Sequence, residues 1–288
     1  MSRKYQSLSE LLSWRPPHIP DIISNGVLSA GSRLVIFGDP KSWKSFEALH
    51  LTFCLASGLD WYGFKTSKCI VYSLQSELTK YHSWQRTMQY CEGLLKSTGD
   101  RDKAYPSSSV YFRTDNYLHL DSSFGLNNVK NDLIALRAAH PDEFIVLILD
   151  PLYLLMGGRI SDEYDIKKFL VNMNILTTEY NLSLIILHHT RKSHIDASGH
   201  LVKLGAEEAT GNRYLSNWCD TMIQLTLLNP YGAKNKVRMD FVLSRHAKDV
   251  LPRLDIRWDR KMLQPSVVGQ ELHDSEDVTI REYDEEVH

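Results

Sequence analysis

The run RLVIF, Arg33 to Phe37, passes without a break into GDPKSWKS, Gly38 to Ser45, and then into SFEALHLTFCLASG, which closes on Gly58. A short β-branched and aromatic run of this kind predicts a buried strand. The segment after the loop predicts a helix over 45–57, stopped by glycine. Strand, turn and helix in that order aim several free main-chain N–H groups and the helix dipole at one point, which suits an anion. The loop fits the phosphate-binding pattern G-x-x-x-x-G-K-[ST] at Gly38, Lys44 and Ser45, and departs from it at Trp43, where the pattern has glycine. A tryptophan still carries the N–H that such a cradle uses, although it restricts φ. The expectation is a cradle formed by Gly38, Asp39, Pro40, Lys41, Ser42, Trp43, Lys44, Ser45 and the next helical residue, Phe46, with the Ser45 hydroxyl on Mg2+. A chance eight-residue match is the alternative, and the flanking strand and helix weaken it.

Further along, strand-like and helix-like segments alternate. CIVYSL (69–74) is followed by a long helix from about Leu78 to Leu95, then VYFRT, a helix across NNVKNDLIALRAAH, the apolar run FIVLILD, a helix near 164–179, and LSLIILHH. Such alternation predicts a mainly parallel central sheet flanked by helices on both faces. After residue 218 the texture changes to DTMIQLTL, VRMDFVLS and RLDIRW, three strand-like stretches expected to extend the sheet in antiparallel fashion. Residues 1–22 read as an N-terminal arm and linker, opened by the capping box Ser7-Leu-Ser-Glu10 and stopped by WRPPHIP. Residues 23–265 read as one α/β domain, and 266–288 as an acidic, flexible tail poor in core residues.

Composition narrows the setting. A chain of 288 residues with 43% hydrophobic residues can bury a sizeable core. Cys54, Cys69, Cys91 and Cys219 lie far apart with no C-x-x-C pair, and no secretory leader is apparent, so reduced thiols and a cytoplasmic location are expected. No apolar run approaches the ~20 residues that cross a bilayer, and no membrane role is expected. A net charge of −2 excludes a uniformly basic coat for nucleic acid but leaves room for a local basic strip.

Two carboxylates stand where phosphate chemistry would use them. Asp150 ends the buried run FIVLILD at the carboxyl edge of the sheet, where open α/β sheets bind ligands, and could hold Mg2+ through water. Glu77 follows CIVYSL and could orient an attacking water; a helix N-terminal glutamate stabilised by the dipole is an equal alternative. The tandem His188-His189 cannot easily share one metal, because adjacent strand residues face opposite ways. With His194 and His200 nearby but no carboxylate or thiol at ligand spacing, a zinc site is not expected.

Taken in order, GDPKSWKS, VYSLQSE, LILDPLYLL, and LIILHHTRKS followed by GAEEATGNRYLSNWCDTMIQL resemble the RecA-like P-loop ATPases of the RepA type, relatives of plasmid and phage hexameric replicative helicases of the DnaB superfamily. The likeness runs from about Ile19 to Arg245. It implies a RecA-like P-loop NTPase core that hydrolyses ATP with Mg2+, with Lys44 on phosphate and Glu77 as the catalytic glutamate. His189, with His188 next to it, would be the sensor of the terminal phosphate. Loops at Met156 to Asp165 and Thr190 to Gly205 would bind single-stranded DNA through Arg159, Arg191, Lys192 and Lys203. Arg245, with Lys248 as companion, would act across a subunit interface in a homo-oligomer, a hexameric ring by resemblance; a structural ion-pair partner is the alternative for that guanidinium. The implied function is an ATP-driven motor on single-stranded DNA, a replicative helicase of a plasmid, phage or mobile element with replication partner proteins. A scaffold or regulatory ATPase that assembles on proteins without translocating is the alternative.

Overall fold

The computed structural model describes residues 5–15, 19–190, 213–229 and 232–272. A nine-stranded sheet runs through the domain in the order β11-β10-β9-β8-β3-β7-β6-β4-β5. Its strands are β3 (Arg33–Gly38), β4 (Ile70–Gln75), β5 (Val110–Thr114), β6 (Ile145–Asp150), β7 (Leu182–His189), β8 (Thr221–Leu227), β9 (Lys236–Ser244), β10 (Arg253–Trp258) and β11 (Pro265–Glu271). A separate two-stranded ribbon, β1 (Asp21–Ile23) with β2 (Leu28–Ser29), precedes them. The helices are α1 (Leu8–Ser13), α2 (Lys44–Ser57), α3 (Lys80–Thr98), α4 (Arg101–Ala104), α5 (Ser123–Ala139), α6 (Glu163–Tyr180) and α7 (Arg213–Trp218). The fold is RecA-like: a mostly parallel sheet covered by helices, with antiparallel strands at its C-terminal end.

Burial of both faces explains why the central strands read as unbroken apolar runs. In β3, Leu34 and Ile36 face the core beneath α2, while Val35 and Phe37 face the core beneath α5 and α6. The helices begin and end on cheap local devices. Thr79, Ser122 and Asp162 accept hydrogen bonds from first-turn N–H groups, and Gly58 and Gly99 close α2 and α3 in the left-handed region. The capping box at Ser7 and Glu10 forms, with both reciprocal bonds in place.

The sheet departs from the sequence expectation at two places. DTMIQLTL pairs in parallel with β3, and the chain reverses direction only at β9, so the antiparallel portion starts one strand later than expected. Residues 266–271, assigned to the tail, continue from Pro265 as β11 against β10. PSVVGQE contains only two large apolar residues, and an edge strand needs no more than one half-buried face, which is why its signal was weak.

Behind the first strand, α2 carries a buried acid. Glu47 is fully buried and accepts hydrogen bonds from Trp61 Nε1 and Tyr62 Oη, both at 2.8 Å, which tie α2 to the turn at 59–66. Burial pushes its pKa up to about 7 from an ordinary 4.5, against the opposing pull of the Tyr62 and Trp61 hydrogen bonds. A pKa raised on folding means that the native state holds the extra proton, so this contribution is complete below about pH 4.5 and is lost as pH rises through 7. The full span corresponds to about 3 kcal/mol. Glu47→Gln removes the titration while keeping an acceptor. Denaturant unfolding from pH 5 to pH 8 should therefore show the variant gaining stability relative to wild type as pH rises, and parallel curves would rule the buried acid out as the cause.

Candidate active site

Parallel register brings the carboxyl ends of four strands to one line. Gln75 stands opposite Asp150 across β4 and β6, and Gly38 opposite His189 across β3 and β7. The loop between β3 and α2 folds over this line. Gly38 sits where a Cβ would lie 2.2 Å from the Leu225 carbonyl oxygen and 2.9 Å from Ser42 Oγ, so only glycine lets the loop start against β8. Thr190 donates to Asp39 Oδ1 at 2.7 Å and fixes the outer limb of the turn.

Lys44 is buried, and its ammonium donates to the Gly38 and Asp39 carbonyls at 2.8 and 2.6 Å and to Ser42 Oγ at 3.3 Å. Burial lowers its pKa to about 8, and the negative charges of Asp150, Asp39 and Glu77 hold it from falling further. Ser45 Oγ donates to Asp150 Oδ1 at 3.2 Å, and Gln75 Nε2 donates to Asp150 Oδ2 at 2.7 Å. Asp150 is raised to about 6, mainly by burial, while the hydrogen bonds from Ser45 and Gln75 act in the opposite sense. Gln75 Oε1 accepts from the Glu77 N–H at 2.9 Å, so one amide links the two carboxylate positions.

His189 lies on the α2 side of β7, in series with Ile185 and Leu187, and its ring meets Tyr153 edge-on at 5.5 Å. Burial and the nearby Lys44 charge lower its pKa. His188 is buried and falls in series with Leu184 and Ile186, on the opposite side. A cleft of about 570 Å³ gathers Lys41, Trp43, Lys44, Ser45, Phe46, Glu77, Leu78, Arg86, His189, Lys234 and Arg260. The oxygen donors beside it, one hydroxyl and one carboxylate, fit Mg2+, a hard cation that keeps waters and substrate phosphate oxygens as its other ligands. Among the described residues, no group of three His, Cys, Asp or Glu side chains forms an all-protein metal cage.

Trp43 answers the anomaly in the loop. It adopts φ 66°, ψ 13°, the left-handed conformation that glycine would take freely and that costs other L-residues about 1–2 kcal/mol. Its indole turns toward the C-terminal strands, where Nε1 donates to the Lys234 carbonyl at 2.7 Å and the ring stacks on Trp258 at 5.3 Å and 11°. Lys41 also has a positive φ, 70°.

Several residues escaped the sequence reading. Arg86 lies over the Phe46 ring at 4.2 Å, and its charge reaches Asp150 and Glu77. It falls nine residues after Glu77, on the face of α3 that also carries Ser83 and Thr87 into the interior beside Asp150. That helical spacing was the available signal. Gln75, Lys234 and Arg260 carried none, since their roles come from register and turns.

Other expected residues lie elsewhere. Arg245 does not line the cleft; its guanidinium donates to the Cys219, Ser216 and Asn217 carbonyls at 3.1, 3.5 and 3.3 Å and caps the C-terminal end of α7. Lys248 pairs with Asp21 at 3.0 Å. Arg159 is exposed, in a turn where the Gly157 and Gly158 N–H groups both donate to Asp121 at 3.0 Å. Arg191, Lys192, Lys203, His194 and His200 lie outside the described residues.

The sequence matches the AAA domain family across residues 2–194. This chain belongs to that family. No curated protein matches it. Among solved structures, the AAA domain protein is similar to an ATPase domain, with 12% identity and a TM-score of 0.63 over 87% of this chain and 92% of that one. It is also similar to a DnaB-like replicative helicase whose interactions with primase were described, at 12% identity and TM-score 0.59, covering 83% of this chain and 58% of the other. A KaiC-like protein from the hyperthermophilic archaeon Pyrococcus horikoshii OT3 gives 12% identity and TM-score 0.56 over 88% of this chain and all of the other, 100%. At such identities these likenesses establish the RecA-like fold and nothing finer. Among the described residues no helix is long and apolar enough to cross a membrane.

The close approach at Gly38 gives a direct test of the site's scaffold. Gly38→Ala drives a methyl into the Leu225 carbonyl and should cost about 1–3 kcal/mol. Thermal unfolding would register this as a lowered Tm; an unchanged Tm would mean that β3 and β8 separate freely there.

Proposed function

We propose that this AAA domain protein is an ATP-hydrolysing RecA-like motor acting on single-stranded DNA, working as a homo-oligomer in the manner of a plasmid, phage or mobile-element replicative helicase. One observation carries the hydrolytic part: Lys44, Ser45, Glu77, Arg86 and His189 meet in one cleft at the carboxyl edge of the sheet, and Ser45 is hydrogen-bonded to the buried Asp150. Lys44 already spends its donors on the loop's own carbonyls, so an incoming triphosphate exchanges those contacts for phosphate oxygens, while the loop N–H groups and the α2 dipole face the same charge. Ser45 and Asp150 are the residues that would hold Mg2+, which neutralises charge on the outer phosphates when bound. Glu77 orients the attacking water, its main chain fixed through Gln75 to the Asp150 carboxylate. Arg86 supplies a fixed positive charge beside both acids. His189, at the end of β7 directly before Thr190, passes the state of the terminal phosphate to the chain that follows in this reading.

The DNA assignment rests on the resemblance and on the loops after β6 and β7, with Arg159, Arg191, Lys192 and Lys203 as the phosphate-contacting residues. Arg245 remains the proposed trans-acting residue, although acting on a neighbour would require it to leave the α7 carbonyls it now caps. The fold shared with a DnaB-like replicative helicase supports the motor reading, and an ATPase that assembles on proteins without translocating is its competitor.

A phosphate-release assay with and without single-stranded DNA separates these readings. Wild type should hydrolyse ATP and accelerate on adding DNA, and Lys44→Ala should lose turnover by about a hundredfold or more while remaining folded by circular dichroism. Unchanged turnover in Lys44→Ala would refute the site. ATP-dependent growth in mass that ignores DNA would transfer the protein to the assembly reading.

A further inference from the structure

The phosphate loop carries a bulky residue in a conformation suited to glycine, and the means by which it does so reaches across the sheet. Trp258 closes β10, is fully buried, and presents its ring face to the Trp43 indole. Its main chain is locked to the β8–β9 turn: the Trp258 N–H donates to the Asn235 carbonyl at 2.8 Å, and Asn235 Nδ2 donates to the Trp258 carbonyl at 2.8 Å. The adjoining Lys234, itself at φ 51°, offers its carbonyl to Trp43 Nε1. Phe46, one turn into α2, closes the group at 4.7 Å from Trp43 and 6.1 Å from Trp258. Stack, hydrogen bond and a tilted aromatic contact thus hold the indole, the first two supplied by segments distant in sequence and the third by Phe46.

We propose that Trp43, Trp258 and the Lys234–Asn235 turn form a clasp that replaces glycine's conformational freedom by external bracing. Trp258 is then a positioning residue for the phosphate cradle, acting through Trp43. Glycine at this place tolerates left-handed geometry with no help, but it tolerates other geometries equally. The clasped tryptophan selects one of them, so the loop's N–H groups stay aimed at the anion before it arrives. The antiparallel C-terminal strands thereby become part of the binding site's rigidity. This inference rests on the reading of the cleft as a nucleoside triphosphate site.

The clasp separates from other roles of Trp43 by epistasis. Calorimetric titration with Mg2+-ATP would compare wild type, Trp43→Gly, Trp43→Ala, Trp258→Phe and the double variant Trp43→Gly/Trp258→Phe. Alanine lacks both the clasp and the backbone freedom, so Trp43→Ala should bind about tenfold more weakly than Trp43→Gly. Trp258→Phe, which preserves most of the buried volume, should weaken binding several-fold when residue 43 is tryptophan and should have no effect when it is glycine. Equal affinities for the alanine and glycine variants would overturn the clasp, as would an equal loss from Trp258→Phe in both backgrounds. Equal and large losses in both Trp43 variants would mean that the indole touches the nucleotide, which also overturns it. If wild type takes up no nucleotide, the functional reading fails instead, and the clasp is decided by thermal melting: Trp43→Ala must then unfold below Trp43→Gly.

Discussion

The alignment of strand ends at the carboxyl edge of the parallel sheet is the constraint on which the rest of the structure depends. Because side chains alternate along a strand, a slip of one residue would exchange the faces of every residue in that strand. Asp150 would then leave Gln75, and His189 would leave the α2 side. The apolar runs of β3, β4, β6 and β7, buried on both faces, hold this register by packing against two separate cores, so the polar residues at their ends need no local reason to be where they are. The site is a by-product of the core, extended by one or two residues past its last apolar layer.

The electrostatics of that edge follow from how deep it lies. Asp150 and Lys44 are both buried, and burial favours their neutral forms; net of the opposing contacts, the aspartate is raised to about 6 and the lysine lowered to about 8. The charges of Asp150, Asp39 and Glu77 hold the lysine toward its charged state, and the hydrogen bonds from Ser45 and Gln75 with the Arg86 charge do the same for the aspartate. Such a cluster is costly without a ligand, since Lys44 can satisfy itself only by turning back on the loop carbonyls. On the proposed function, an anion with a divalent cation would relieve both costs at once.

Much of this was legible in the sequence, and the illegible part has a common cause. The buried strands declared themselves as apolar runs, and helices such as α6 declared themselves through periodicity, because those signals are written in consecutive residues. Lys44, Ser45, Glu77, Asp150 and His189 could be singled out because each adjoins such an element. The parallel pairing of β8 with β3 could not, since strand direction depends on where the chain goes between strands and not on the strand's own composition. Arg245 is a clearer case still: its position at a strand end was visible, but its partners are three carbonyls at the end of α7, and a carbonyl has no signature in sequence. Arg86 shares a helical face with Ser83 and Thr87, a spacing visible in the sequence, but that this face turns inward depends on the packing of α3 against α2.

Considered as a machine part, α2 is the element everything else restrains. Its first turn is held by Trp43 and Phe46 against Trp258 and by Glu47 through Trp61 and Tyr62, and its last turn by Gly58 and by Thr66, which donates to the Cys54 and Leu59 carbonyls. A helix free to rock would average its dipole and its first-turn N–H groups over a range of directions, and their pull on a phosphate falls off within a turn. Restraint at both ends removes that averaging. The buried Glu47, which contributes nothing to the cleft directly, and the tryptophan that replaces glycine serve the same end: they convert the start of α2 from a helix terminus that can bind an anion into one already pointed at it.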